Sequence, residues 1–155
     1  MIIETTLDTE YFLNVVKHLE FKSNDEKEAR EILYPKVDAT VYDVFISAPN
    51  RWAEHYLIKD ENKHNAIVCA ITLDLNNNLH YFVTTDLDQS NSLSFVKTIK
   101  ALVESTIVLR HVVFVTTRTW YKEAIKFNKL IGFKIIRTSN GKGVSTWFYS
   151  KNKGY

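Results

Sequence analysis

Apolar residues recur along the chain in two rhythms, and the switches between them mark the elements. Ile2-Ile3 read as a short strand, after which Phe12, Val15, Val16 and Leu19 fall on one face of a helix that Asp8 is placed to cap. Ser23 and Glu26 have capping-box spacing ahead of a second stripe, Ala29, Ile32 and Leu33, and Pro35 pushes Tyr34 out of the helical region. Residues 36 to 54 are ambiguous: Val41 to Ile46 read as a strand or an irregular segment, and Pro49-Asn50-Arg51 signals a turn. Tyr56 to Ile58, Ala66 to Leu75 and Leu79 to Thr85 then alternate as strands, separated by the polar stretch Lys59 to Asn65 and by Asn76-Asn77-Asn78, which predicts an antiparallel meander.

The second half returns to helical spacing at Phe95, Val96, Ile99, Leu102 and Val103, predicting a helix over Ser92 to Ser105 with Ser90 or Asn91 as its cap. Val112 to Val115 is a continuous apolar run, the pattern of a strand buried on both faces in the middle of a sheet. Thr119 is placed to cap a last helix with Trp120, Ala124, Phe127 and Ile131 on one face, and Gly132 stands where a left-handed C-terminal residue belongs. Phe133 to Thr138 and Val144 to Ser150 read as a hairpin around Asn140-Gly141-Lys142-Gly143. The order is β-α-α-β-β-β-α-β-α-β-β, a mixed α/β domain over 1-155 with a mostly antiparallel sheet flanked by helices.

Composition narrows the class. A chain of 155 residues, 45% apolar and 25% charged, is long enough to bury a core without a disulfide, and its lone Cys69 lies in an apolar run where a small buried side chain is expected. Four glycines and two prolines exclude collagen-like and low-complexity chains. No apolar run approaches the ~20 residues needed to span a bilayer, so no membrane insertion is expected.

Charge changes the picture more. Residues 1 to 109 carry 10 basic and 17 acidic side chains, whereas residues 110 to 155 carry 10 basic and only Glu123. The two blocks either neutralise each other within the fold or leave a cationic surface for an acidic partner. Lys122, Lys126 and Lys129, spaced along one helix face, are the candidate contacts for nucleic acid or an acidic protein, with a solvated face as the plain alternative. Trp52 and Tyr56 read either as a partner contact or as packing. The five histidines have no metal-ligand spacing and no second cysteine joins Cys69, so no metal site is expected.

The segment Ala124-Ile125-Lys126-Phe127-Asn128-Lys129-Leu130-Ile131-Gly132-Phe133 resembles the A-x-x-L-Y-x-K-x-G-F signature of the GNAT superfamily of N-acetyltransferases, and the order of elements resembles the GNAT fold. Within that superfamily, the stretch from His80-Tyr81-Phe82-Val83-Thr84-Thr85-Asp86 through Gly132 is similar to the acetyltransferase-like internal virion proteins of short-tailed bacteriophages. The resemblance implies a GNAT-like sheet with Val83 and Val115 on neighbouring central strands. It also implies Trp120, Ala124 and Phe127 turned to that sheet.

What the resemblance implies about chemistry is divided. Enzymes of the superfamily cradle the pyrophosphate of acetyl-CoA on a glycine-rich turn, R/Q-x-x-G-x-G/A, between the fourth strand and the next helix, where backbone N–H groups and a helix N-terminus meet the phosphates. The corresponding turn here, Thr85-Asp86-Leu87-Asp88-Gln89-Ser90-Asn91-Ser92, has no glycine and carries carboxylates instead of cations. The family's general acid, a tyrosine, aligns with Asn128, whose amide cannot protonate a thiolate; Tyr121 lies two helical turns away. Two readings follow. The first is a catalytically degenerate protein of a phage particle or its assembly, in the host cytoplasm or the virion, with virion or assembly proteins as partners, no cofactor and no catalytic residue. The alternative is an acetyl-CoA-dependent N-acetyltransferase with a diverged cofactor loop, for which Val83, Thr85, Ser90, Asn91 and Ser92 are the cofactor-binding positions.

Overall fold

The computed structural model describes residues 1–47, 54–139 and 143–150. Its elements are β1 (Ile2–Thr6), α1 (Thr9–Val16), α2 (Ser23–Ile32), α3 (Val41–Ser47), β2 (Glu54–Asp60), β3 (Ala66–Leu73), β4 (Leu79–Val83), α4 (Ser92–Arg110), β5 (Val112–Arg118), α5 (Lys122–Ile131), β6 (Lys134–Ser139) and β7 (Val144–Ser150). They divide into two compact units, Met1–Leu75 with His80–Asn91, and Asn76–Leu79 with Ser92–Tyr155.

In the first unit the sheet runs β1-β2-β3-β4. β1 and β2 pair antiparallel from Ile2↔Lys59 to Thr6↔His55, and β2 pairs antiparallel with β3 through a bulge at Ile58/Lys59. Phe12, Val16, Phe21, Ala29, Val41, Val44, Phe45, Leu57, Ala70 and Phe82 form its core. The rings of Phe12 and Phe45, Phe45 and Phe82, and Phe21 and Phe82 meet edge to face. Asp8 caps α1 as its position predicts, accepting from the Tyr11 N–H at 3.0 Å.

Three expectations change here. Val41 to Ile46 is helical: Thr40 Oγ1 accepts from the Asp43 N–H at 3.2 Å, while Asp43 accepts from the Thr40 N–H at 2.9 Å. That reciprocal pair caps α3, and Val41, Val44 and Phe45 fall on its buried face. The Ser23/Glu26 box does not form, because α2 takes Lys22 as its N-cap and Glu26 accepts instead from the Val41 N–H at 3.2 Å. Ile32, expected in the stripe, is exposed. The Pro49-Asn50-Arg51 turn and Trp52 lie outside the described residues.

In the second unit the sheet runs β5-β7-β6, with both pairs antiparallel. β4 and β5 therefore belong to different sheets, and Val83 and Val115 are not on neighbouring strands. Asn78 makes a single parallel bridge to Phe114, with the Phe114 N–H donating to the Asn77 carbonyl at 2.8 Å. β5 lies at an edge of its sheet and not in the middle, and burial alternates along it, with Val113 and Val115 buried on one face and Val112 and Phe114 half-buried on the other. α4 runs to Arg110, beyond the predicted Ser105, burying Phe95, Ile99, Leu102, Val103 and Ile107.

α5 begins at Lys122 after Tyr121, and the predicted cap Thr119 instead donates its hydroxyl to the Gly143 carbonyl at 3.2 Å. Trp120, Ala124 and Phe127 are half-buried; the fully buried α5 residues are Asn128 and Ile131. Gly132 ends the helix at φ +109°, and a Cβ there would lie 2.9 Å from a Tyr149 ring carbon. β6 and β7 pair as the predicted hairpin, whose Asn140, Gly141 and Lys142 lie outside the described residues.

Candidate active site

The end of β4 in the first unit and the turn after it hold four of the five predicted cofactor positions; Ser92 begins α4 in the second unit. β4 pairs with β3 on one side, and the Thr84 N–H donates to the Val68 carbonyl at 3.0 Å. The other edge is covered by the chain itself. Lys22 N–H donates to the Val83 carbonyl at 3.0 Å, Thr85 N–H donates to the Glu20 carbonyl at 3.0 Å, and Phe21 bridges Thr84 antiparallel. The Val83 N–H donates to the carboxylate of Asp25, in the first turn of α2.

The turn is equally self-contained. Asp86 N–H donates to Thr84 Oγ1 at 3.3 Å, Leu87 N–H to the Thr84 carbonyl at 3.2 Å, and Asp88 N–H to Asn91 Oδ1 at 2.8 Å. Ser90 donates to Asp88 Oδ1 through both N–H, at 2.9 Å, and hydroxyl, at 2.6 Å. Asn91, buried, donates its amide to Asp60 Oδ2 at 3.1 Å and to the Asp86 carbonyl at 3.2 Å. It braces the turn against the end of β2. Ser90 and Ser92 are exposed, Thr85 is exposed, and Val83 is buried.

Lys63, which nothing in the turn's own sequence announces, pairs with Asp88 and donates to the Asp86 carbonyl at 3.2 Å. Bonds from Lys63 and Ser90 hold the Asp88 carboxyl down to a pKa of about 2. The turn is thus not the bare pair of carboxylates that its sequence shows, because a cation 25 residues upstream answers one of them.

Asp25, buried, and Glu28 bring two carboxylates toward Tyr81 on β4, whose hydroxyl is held protonated well above the ordinary tyrosine range by burial first and by those carboxylates next. Burial likewise raises the thiol of Cys69, so it stays inert. Buried His55 is stacked on Phe12 between Thr9 Oγ1 and Thr72 Oγ1, each at 2.9 Å, and burial lowers its pKa.

In the second unit Asn128 is buried, its amide donating to Thr117 Oγ1 at 2.8 Å and its carbonyl accepting from Phe133 N–H at 2.9 Å. The residue at the signature's tyrosine position is a structural tie between α5 and β5. Tyr121 is buried and stacked on Trp120. Lys122, Lys126 and Lys129 are exposed. Among the described residues no cluster of three metal-ligating side chains occurs, and no helix is long and apolar enough to cross a membrane.

For a coenzyme A arm, which presents amides and a diphosphate, the arrangement does not fit as it stands: the outward backbone groups at Val83 and Thr85 and most N–H groups of the turn are already bonded.

No family model matches the sequence, and no curated protein does. Solved structures do. The spermidine N-acetyltransferase from Vibrio cholerae in complex with CoA and spermine superposes with a TM-score of 0.59 at 9% identity, covering 96% of this chain and 95% of that one. A dodecameric form of the Vibrio cholerae enzyme in an intermediate state gives 0.56 at 10% identity over 99% and 95%. The ribosomal-protein-S5-alanine acetyltransferase from Vibrio fischeri gives 0.50 at 9% over 65% and 63%. These neighbours overturn the reading of a degenerate phage protein: what shares this architecture over nearly its whole length is a set of N-acetyltransferases, and a virion role has no support among them. At such identities the likeness establishes the architecture, and the chain has the GNAT N-acetyltransferase fold, mixed α/β with antiparallel sheets and helices.

Proposed function

We propose that the chain is an acetyl-CoA-dependent N-acyltransferase acting on an aliphatic amine. The observation that carries the reading is the fold, shared over 95% or more of both chains with an enzyme whose structure holds CoA and spermine. Val83, Thr85, Ser90 and Asn91, all in the first unit, are the positions proposed for the cofactor, and the backbone groups of Val83 and Thr85 become available to it only when the bonds that now occupy them open. The cofactor, when bound, supplies the activated acyl group. Proton donation would not come from Asn128, which is committed to Thr117.

The test is acetyl-CoA titration by calorimetry together with a thiol-release assay using spermidine as acceptor. Binding and amine-dependent release of CoA are expected. A folded protein that neither binds acetyl-CoA nor releases the thiol with any of a panel of primary amines would sink the reading.

A further inference from the structure

Within the first unit, every outward-facing N–H from Val83 to Thr85, and the Val83 carbonyl, is engaged by a single stretch of chain between Glu20 and Asp25. This is a short piece of antiparallel pairing made by the connection between α1 and α2, anchored by one buried ring, Phe21, against Phe82. An extended ligand carrying amides binds a strand edge through the same backbone groups. It can use this edge only after residues 20–22 have left it.

We propose that Glu20-Phe21-Lys22 is an autoinhibitory strap that competes with acyl-CoA for the β4 edge. The inference rests on the N-acyltransferase reading above. When the strap is closed, Val83 and Thr85 are satisfied within the chain; when it swings away with the start of α2, they are released to the ligand's amides. The apparent affinity for acyl-CoA is then reduced by the fraction of molecules whose strap is open.

Lys22 offers a clean release. Its φ of −62° and ψ of 149° are those of a proline, so Lys22→Pro keeps the strap's own backbone conformation while it removes the N–H that bonds Val83 and sets a ring carbon against that carbonyl, which parts the pairing. Glu20 and Thr85 offer a lock. Both are exposed and face each other across the pairing, and Cα atoms of such facing residues, about 5.5 Å apart, are within disulfide reach. Glu20→Cys with Thr85→Cys leaves the core untouched, and the native thiol Cys69 is buried.

Acetyl-CoA is titrated by calorimetry into the wild-type protein, the Lys22→Pro variant and the double-cysteine variant, oxidised and reduced, each shown to be folded by circular dichroism. Amide exchange at Lys22 is followed in parallel on the wild-type protein. The expected result is binding at least about 10-fold tighter in Lys22→Pro, no binding to the oxidised lock against measurable binding to the same double-cysteine protein once reduced, and loss of Lys22 protection at saturating acetyl-CoA. Equal binding by all forms, with Lys22 still protected, overturns the strap and leaves the N-acyltransferase reading standing. If no form binds, the N-acyltransferase reading fails and the strap's ligand falls with it.

Discussion

The two units finish their sheets in opposite ways. In the first, the outer edge of β4 from Val83 to Thr85 is closed by residues 20–22 and Asp25, and its backbone groups are bonded within the chain. In the second, β6 is an outer strand whose residues Lys134 to Thr138 are all exposed, with Ile135 and Ile136 standing 49% and 50% exposed between Lys134 and Arg137. A bulge at Ile135/Arg137 and flanking cations keep such an edge from recruiting another strand. Charge protects an edge and leaves it accessible; a covering segment protects it by shutting it. The chain uses cover at the β4 edge and charge at the β6 edge.

The largest effect is expected where the cover is anchored. Phe21→Ala should lower stability by about 3 to 5 kcal/mol, read as a fall in the urea midpoint, because it empties a buried aromatic site against Phe82. A loss under ~1 kcal/mol would mean that the cover does not depend on this ring. Next comes Asn128→Ala in the second unit, expected to cost about 1 to 3 kcal/mol by leaving the buried Thr117 hydroxyl without its amide donor. Retained stability would argue that α5 is held by apolar packing alone.

The third expectation concerns acid. His55 is buried with a lowered pKa, so the fold prefers its neutral form and the unfolded chain takes up the proton first. The stability this contributes is complete above the unfolded value near 6.5 and is lost as pH falls through the lower folded value. Urea midpoints measured from pH 7.5 down to pH 5 should decline, and His55→Gln should flatten the decline in that window. The smallest effect belongs to the open edge. Ile136→Lys should change stability by no more than about 0.5 kcal/mol, and a large loss would show that β6 is held by apolar contact.

How much of this was legible in the sequence depended on how far apart the interacting residues lie. The Asp8 cap, the Gly132 stop and the alternation of β2 to β4 are local, and the structure follows them. α3 was hidden because Val41, Val44, Phe45 and Ile46 are good strand formers; the Thr40/Asp43 pair was the signal that could have found it. The apolar run Val112 to Val115 suggested a central strand, yet β7, far along the chain, takes the middle place. At the candidate site, Val83 and Thr85 were named from the resemblance. Their partners Glu20, Lys22 and Asp25, and the Lys63 beside the turn, come from distant segments that no periodicity connects to β4. The missing glycines and Asn128 argued for lost activity, but they describe one turn and one tie, whereas the likeness to N-acetyltransferases extends over nearly the whole chain.

Gly132 carries a consequence for how this sequence can drift. Its backbone lies in the left-handed region, which other residues adopt only with strain, and a Cβ there would meet the half-buried Tyr149 ring, which would have to shift, so two independent constraints favour glycine. Asparagine, which tolerates positive φ elsewhere, still needs that ring to move. Shrinking Tyr149 would lift only the second constraint. A library randomised at position 132 and selected for folded protein should therefore return glycine almost alone, and variation at 149 should widen that choice no further than asparagine and aspartate.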